Sequence, residues 1–212
     1  MPDTERKFDL VIFDCDGVLV DSENLAIEAL LDIISEAGLT LSPAEAHAMF
    51  LGRSLASISE ILVSDYHLTL TADALERMRD RLYAAFKREL APIEGIVKTL
   101  QALGVPFCVA SSSQLERVRL SLEVTGLLHL FEGRMFSASM AAQGKPAPDL
   151  FLMAAKALGA KPSNCLVIED SPAGVVAAQR AGMTVFGFLG GSHAQQLPHR
   201  EALEQLAPAQ IF

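Results

Sequence analysis

Leu10-Val11-Ile12-Phe13 is an unbroken apolar run bounded by Phe8 and Asp9. An apolar run without alternation predicts a parallel strand covered on both faces. After Ser22 the period of the apolar positions becomes helical and stays helical to about residue 88. Leu25, Leu30, Ile33 and Ile34 recur at that spacing, and Gly38 supplies a C-cap. Ser42-Pro43-Ala44-Glu45 predicts a second helix start, with Ser42 as N-cap and Pro43 in the first turn. Glu45 is read there as one residue early for an ideal capping box. Ile58, Ile61 and Leu62 predict a third helix. Thr71 to Leu90 predicts a long charged one carrying Leu75, Met78, Leu82, Tyr83 and Phe86 on one side.

Strand patterns resume near Val105. Val105 to Ala110 runs into Ser111-Ser112-Ser113, Met135-Phe136 is a short apolar pair, and Cys165 to Ile168 runs into Glu169-Asp170. Met183 to Phe188 is a further strand, and helical segments lie between, one of them Ala147 to Leu158. Strands alternating with helices predict an α/β fold with a parallel sheet and right-handed crossovers. The helical block over residues 23–88 is too long for a loop. It predicts a second, smaller all-helical unit over the carboxyl edge of the sheet, dividing the chain into a core of residues 1–22 and 89–212 and an insert of residues 23–88.

The 212 residues include no repeat and no apolar run of membrane length, and half are apolar, enough for a sizeable core. Seventeen basic against 26 acidic residues give a net charge of −9. That speaks against a nucleic-acid surface, which needs a basic footprint, but not against a phosphorylated small molecule, since a metal and a few cations can reverse the field inside one cleft. Met1 to Lys7 is charged and lacks the apolar core of a signal peptide. Cys15, Cys108 and Cys165 are an odd, scattered set, read as buried fillers rather than a disulfide framework. Both readings predict a protein of the reducing cytoplasm; no membrane partner is expected, and a monomer is expected with an oligomer left open.

The chemistry concentrates where strand patterns end. Asp14-Cys15-Asp16-Gly17-Val18-Leu19-Val20-Asp21-Ser22 follows the first strand. Ligands of open α/β sheets bind at that edge. Two carboxylates held together repel unless a cation or a shared proton intervenes, which suggests a divalent metal and phosphate chemistry. Gly17 permits a sharp turn, though a lone Asp-Gly is also an ordinary turn. Ser111 at a strand end can cradle phosphate with adjacent backbone N–H groups, or can be a simple N-cap; Ser112 and Ser113 leave the choice among the three open. Lys145 sits in the stiff run Gly144-Lys145-Pro146-Ala147-Pro148, either as a positioned ammonium or as a surface lysine. Glu169-Asp170 again places acids at a strand end, before Ser171-Pro172-Ala173-Gly174, where an N-cap role competes with metal binding.

Together these four strings resemble, in order, the motifs of the haloacid dehalogenase superfamily: DxDGxLxDS, a strand-end serine, K-P-x-P, and (V/I)(E/G)DS-x-x-G. The resemblance covers essentially the whole chain and is nearest to the β-phosphoglucomutase-like group of sugar-phosphate phosphatases. It implies a Rossmann-like core with an inserted helical cap domain. It implies a Mg²⁺-dependent phosphatase of a small phosphorylated metabolite, a sugar or sugar-acid phosphate, working through an aspartyl-phosphate. Asp14 would be the nucleophile and Asp16 the general acid and then base. Mg²⁺ would be bound by Asp14, Asp170 and the Asp16 backbone carbonyl, with Glu169 a ligand or an orienter. Ser111, Ser112 and Lys145 would hold the phosphoryl group.

In the cap, Arg53 after Gly52 either stands where the family carries a basic residue facing the substrate or is a solvated arginine at a helix start, and Arg79 approximates another such position, though Arg77, Arg81 and Lys87 compete with it. A phosphosugar mutase or a non-catalytic phosphate binder are the alternatives. Ala26 stands where β-phosphoglucomutases carry a cap histidine, which favours hydrolysis. No lysine lies between Lys7 and Lys87, against the imine chemistry of phosphonatases, and Asp16 argues against a dehalogenase. The five histidines, His193 and His199 among them, fall outside all four motifs and are read as surface or core residues.

Overall fold

The computed structural model describes residues 8–50, 53–195 and 197–212; the readings of Met1 to Lys7 and of Gly52 fall outside them. In chain order the elements are β1 (Leu10–Phe13), α1 (Glu23–Glu36), α2 (Pro43–Phe50), α3 (Leu55–Tyr66), α4 (Ala72–Glu89), α5 (Ile96–Ala102) and β2 (Phe107–Ser111). Then come α6 (Leu115–Val124), α7 (Leu128–Phe131), β3 (Met135–Ser137), α8 (Asp149–Ala157), β4 (Cys165–Glu169), α9 (Pro172–Arg180), β5 (Thr184–Gly187), α10 (Leu197–Gln205) and β6 (Gln210–Ile211).

The six strands form one sheet in the order β3-β2-β1-β4-β5-β6, every pair parallel. β1 lies between β2 and β4, and its four residues are all buried. Val11 and Phe13 pack on one face with Ile96 and Leu100 of α5 and Val118 and Leu122 of α6. Leu10 and Ile12 pack on the other with Leu150, Phe151 and Ala154 of α8 and Val175 and Ala178 of α9. Helices on both faces explain why the strand reads as continuous rather than alternating. Burying these side chains supplies most of the driving force, at roughly 1.5–3 kcal/mol for each large aliphatic or aromatic one.

Helices α1 to α4 are inserted between β1 and β2. Ile27, Leu30, Ile34, Ala46, Phe50, Ile58 and Leu62 give them a small core of their own. Leu82 and Phe86 of α4 instead join the cluster on the sheet, so α4 ties the insert down. Thr71 caps α4 by accepting from Ala74 N at 3.1 Å, and Ser54 caps α3 by accepting from Ser57 N at 3.2 Å. The second helix start needs a correction. Ser42 N donates to Glu45 Oε2 at 2.8 Å while Glu45 N donates to Ser42 Oγ at 3.3 Å. Glu45 is therefore in register at the third helical position, and the box is complete.

Other differences from the sequence reading lie at element ends. β2 begins at Phe107 rather than Val105, because Pro106 has no N–H for the ladder. It ends on Ser111 itself, whose Cα pairs with that of Ser137 in β3. β6 was not expected. Its two residues, Gln210 and Ile211, are too few to show a period, and pairing with β5 makes them a strand.

Candidate functional site

Asp14 is the first residue past β1, and its N–H donates to Ile168 O at 3.0 Å across the sheet. The chain then folds back at once: Gly17 N donates to Val20 O at 2.8 Å, and Leu19 N to Cys15 O at 2.9 Å. Gly17 has φ +78°, and a Cβ there would stand 2.0 Å from Asp170 Oδ2. The turn between the two motif acids and Ser22 is therefore open only to glycine. Cys15, between the acids, is fully buried, and burial pushes its thiol well up. It is inert filler, as the sequence suggested.

Lys145 reaches this edge from the segment before α8. Its side chain is 3% exposed, and Nζ lies 2.5 Å from Asp14 Oδ1, 2.8 Å from Glu169 Oε2 and 3.0 Å from Ala110 O. The ammonium also stands 4.8 Å from the Phe151 ring centroid. Burial would strip its proton, but Asp14 and Glu169 outweigh burial and raise its pKa. The surface-lysine alternative is excluded.

Glu169 is saturated by the protein. Its Oε1 accepts from Ser171 N at 3.1 Å and Ser171 Oγ at 2.7 Å, while Oε2 faces Lys145. Gly174 leaves room for it, since a Cβ there would fall 2.0 Å from Glu169 Cδ. Asp170 is buried, with His193 Nε2 2.8 Å from its Oδ2, although among the described residues neither His193 ring nitrogen has an aligned hydrogen-bond partner. Ligand atoms of Asp14, Glu169 and Asp170 all lie within 4.8 Å of one another. Burial holds the Asp14 carboxyl well above the usual range, opposed by Lys145 and reinforced by Glu169 and Asp170. Burial and Glu169 do the same to Asp170. One ammonium does not balance three buried carboxylates. This oxygen-rich excess of negative charge fits Mg²⁺.

Asp16 has a different environment. Burial would raise its pKa, but Arg117 and hydrogen bonds from Ser113 and Ser22 outweigh it and hold the carboxyl below the usual range. Ser22 Oγ donates to Oδ1 at 2.6 Å, Ser113 Oγ donates to Oδ2 at 2.7 Å, and Arg117 Nη2 lies 2.8 Å from Oδ1. Ser111 is buried beside it, 3.4 Å from Oδ2, and accepts from Ser113 N at 3.0 Å. Ser112 is exposed at the cavity wall.

The cavity above these groups measures about 720 Å³. Asp14, Asp16, Ser111, Ser112, Lys145, Glu169 and Asp170 lie at its floor and sides, so the structure brings the whole expected sheet-edge set together. Arg53, Met78, Arg79 and Tyr83 line it from the inserted helices. Arg77 and Arg81 instead pair with Glu36 on α1, which removes two competitors of Arg79. Arg79 keeps two exposed contacts on its own helix, with Glu76 at 3.4 Å and Asp80 at 3.8 Å.

Sequence reasoning missed Ser22, Ser113, Arg117 and His193 as neighbours of the acids. Arg117 sits in the first turn of α6, while Ser113 precedes the N-cap Gln114, so no helical spacing relates the two and only the fold brings them to Asp16. His193 sits beside Asp170 only through the tertiary fold, and no local pattern marks it.

Comparison with known proteins decides the family. Residues 11–188 match the model of haloacid dehalogenase-like hydrolases. The chain belongs to this family. The 6-phosphogluconate phosphatase of Escherichia coli is 34% identical to this hydrolase over 194 residues, covering 91% of this chain and 88% of that protein. A conserved haloacid dehalogenase-like protein of unknown function from Agrobacterium tumefaciens superposes with a TM-score of 0.85 at 35% identity, covering 97% and 93% of the two chains. A family hydrolase from Deinococcus radiodurans, solved with bound phosphate and sodium, gives a TM-score of 0.78 at 36% identity, covering 98% and 92%. Among its described residues this hydrolase has no helix long and apolar enough to cross a membrane.

Proposed function

We propose that this hydrolase cleaves the phosphate monoester of a sugar or sugar acid, with Asp14 as nucleophile. The observation that carries this reading is Lys145 Nζ lodged between Asp14 and Glu169 at the strand-end edge, with Asp16 and Asp170 beside it. An Asp14 oxygen attacks phosphorus while the bond to the leaving oxygen breaks, and Asp16, which must first take up a proton against the pull of Arg117, gives that proton to the leaving oxygen. The aspartyl-phosphate is then attacked by water, Asp16 taking the water's proton, and Asp14 is released with inorganic phosphate.

Asp14 and Asp170 are the proposed Mg²⁺ ligands, with the Asp16 carbonyl. Glu169, occupied by Ser171 and Lys145, orients the lysine. Mg²⁺ bound there would neutralise charge on the transferring phosphoryl group and keep Asp14 ionised. Lys145 and Ser111, with the Ser112 wall, position the phosphoryl oxygens, and positioning supplies most of the catalysis in such transfers.

Residues 23–88 act as the cap over the cavity. Arg53 and Arg79 project a second patch of positive charge into it, away from Lys145, which suits a leaving group with a carboxylate or several hydroxyls. The Escherichia coli relative, named for 6-phosphogluconate, is consistent with that choice. Ala26 offers no proton-transferring group from the cap, which favours release of phosphate over its return to a sugar. All three cysteines are free and buried, as suits a reducing compartment.

The test is phosphate release with Mg²⁺ across sugar phosphates, sugar-acid phosphates, nucleotides and an aryl phosphate, with Asp14→Asn as background. Turnover of a sugar or sugar-acid phosphate above that background is expected. Release no faster than the variant's on every substrate overturns the reading.

A further inference from the structure

Arg117 of α6 touches the Asp16 carboxylate on one side and helix α4 on the other. Its Nη2 lies 2.8 Å from Asp16 Oδ1, and its Cζ lies 5.4 Å from the centroid of the Phe86 ring. Phe86 is 1% exposed and belongs to the inserted helices. Two facts separate this arginine from one that merely satisfies a buried acid. Both Asp16 oxygens already have a hydroxyl donor, Oδ1 from Ser22 at 2.6 Å and Oδ2 from Ser113 at 2.7 Å. The Arg117 Nε, in turn, is buried without a hydrogen-bond partner among the described residues. A buried donor left unmatched is disfavoured, and each such group in a native structure calls for a reason beyond packing.

Hydroxyl rotors tolerate several directions of the carboxylate they bond. A planar guanidinium held over an aromatic ring does not, because the ring contact fixes the plane from which its single Nη2–H reaches Oδ1. We propose that Arg117 is the positioning residue of Asp16: held against Phe86, it sets the direction in which the carboxyl meets the leaving-group oxygen. The proton transfer then depends on where α4 sits over the cavity, which links the seating of the cap to the chemistry. The inference rests on the acid-base role of Asp16 proposed above.

The experiment compares Arg117→Met, Arg117→Lys and Phe86→Leu on the best sugar phosphate from the screen and on 4-nitrophenyl phosphate. An alkoxide leaving group needs protonation and a nitrophenolate hardly does. Arg117→Met is expected to lower kcat on the sugar phosphate by about ten- to a hundredfold, within the reach of one acid-base group. Its effect on the aryl ester should be at least severalfold smaller, with the loss carried by kcat more than by KM although Arg117 also lines the cavity. Arg117→Lys keeps the charge without the planar group held over Phe86 and should show the same selectivity. If Arg117→Met does not fold, as judged by circular dichroism, Arg117→Lys carries the test.

Phe86→Leu should give a weaker loss of the same kind. Added guanidinium ion should restore part of the sugar-phosphate rate of Arg117→Ala. Equal losses on both esters, a change confined to KM, or no loss overturn the proposal. Asp16→Asn run in parallel separates the two levels. If it discriminates between the esters and the Arg117 variants do not, only Arg117's role falls. If it does not discriminate, the acid assignment of Asp16 falls first.

Discussion

Lys145 Nζ lies 2.5 Å from Asp14 Oδ1, although 131 residues separate the two in sequence. The pair closes the sheet edge from the loop before α8, and Glu169 shares the same ammonium at 2.8 Å. Removing the cation leaves two buried carboxylates facing each other. Lys145→Met is therefore expected to abolish turnover and to destabilise the fold by roughly 3–5 kcal/mol, the range for breaking a buried ion pair. Lys145→Arg should restore stability only in part, because a planar fork does not fit a site shaped for a point charge. Thermal melts and single-substrate kinetics check both statements. A Lys145→Met protein as stable as the parent would mean that the carboxylates find another partner.

Asp14 and Asp170 invite the opposite experiment. Burial raises both carboxyls, and Glu169 adds to it. In each case the folded state binds a proton more tightly than the unfolded chain, so ionisation at neutral pH costs stability. Asp170→Asn should therefore leave the Mg²⁺-free protein as stable as the parent or more so, while Mg²⁺ no longer raises the melting temperature. Asp14→Asn should keep the fold and lose activity by on the order of 10³-fold or more, since an amide does not attack phosphorus. A Mg²⁺-induced shift in Asp170→Asn equal to the parent's would remove Asp170 from the metal site.

Gly174 offers a test whose sign is decided by magnitude. It lies in the first turn of α9, where alanine is worth up to about 1 kcal/mol over glycine by helix propensity. The added Cβ would stand 2.0 Å from Glu169 Cδ and 2.1 Å from its Oε2. Glu169 has little freedom to retreat, being held by Ser171 on one oxygen and Lys145 on the other. Overpacking of that kind costs typically 1–3 kcal/mol and wins. Gly174→Ala is expected to be destabilised on balance and to lose activity through a displaced Lys145. Chemical denaturation and kcat are the measurements, and a more stable, fully active variant contradicts the account.

The sheet and its edge were legible from sequence because their signals are local. Leu10 to Phe13 is apolar without a break, the acids follow directly, and Lys145 is stiffened by its own prolines. The elements that were missed or shifted depend on partners elsewhere. β6 exists through its pairing with β5, and Arg77 and Arg81 are told apart from Arg79 only by the position of Glu36 on α1. His193 reaches Asp170 from a turn after β5 that carries no periodic pattern. Glu45 is a different kind of miss: the capping box was fully written in Ser42 to Glu45, and its register was misread.

The choice of leaving group is where the cap should be decisive. On the proposed reading Lys145, Ser111 and Asp14 meet the phosphoryl group and Asp16 only the bridging oxygen, so discrimination among esters falls to the upper wall. Arg53 and Arg79 line that wall, and Arg79's contacts with Glu76 and Asp80 are exposed and weak, so a ligand can draw its guanidinium away from them. A charge-assisted hydrogen bond to a substrate carboxylate is worth about 1.5–3 kcal/mol, or roughly ten- to a hundredfold in kcat/KM. Arg53→Ala and Arg79→Ala should each show a loss of that size on a sugar-acid phosphate, a smaller one on a neutral sugar phosphate, and almost none on an aryl phosphate. The three substrates assayed side by side separate the possibilities. Equal losses on all three would make these arginines supports of the cap, and unchanged rates on the acid would show that its carboxylate is read by other groups.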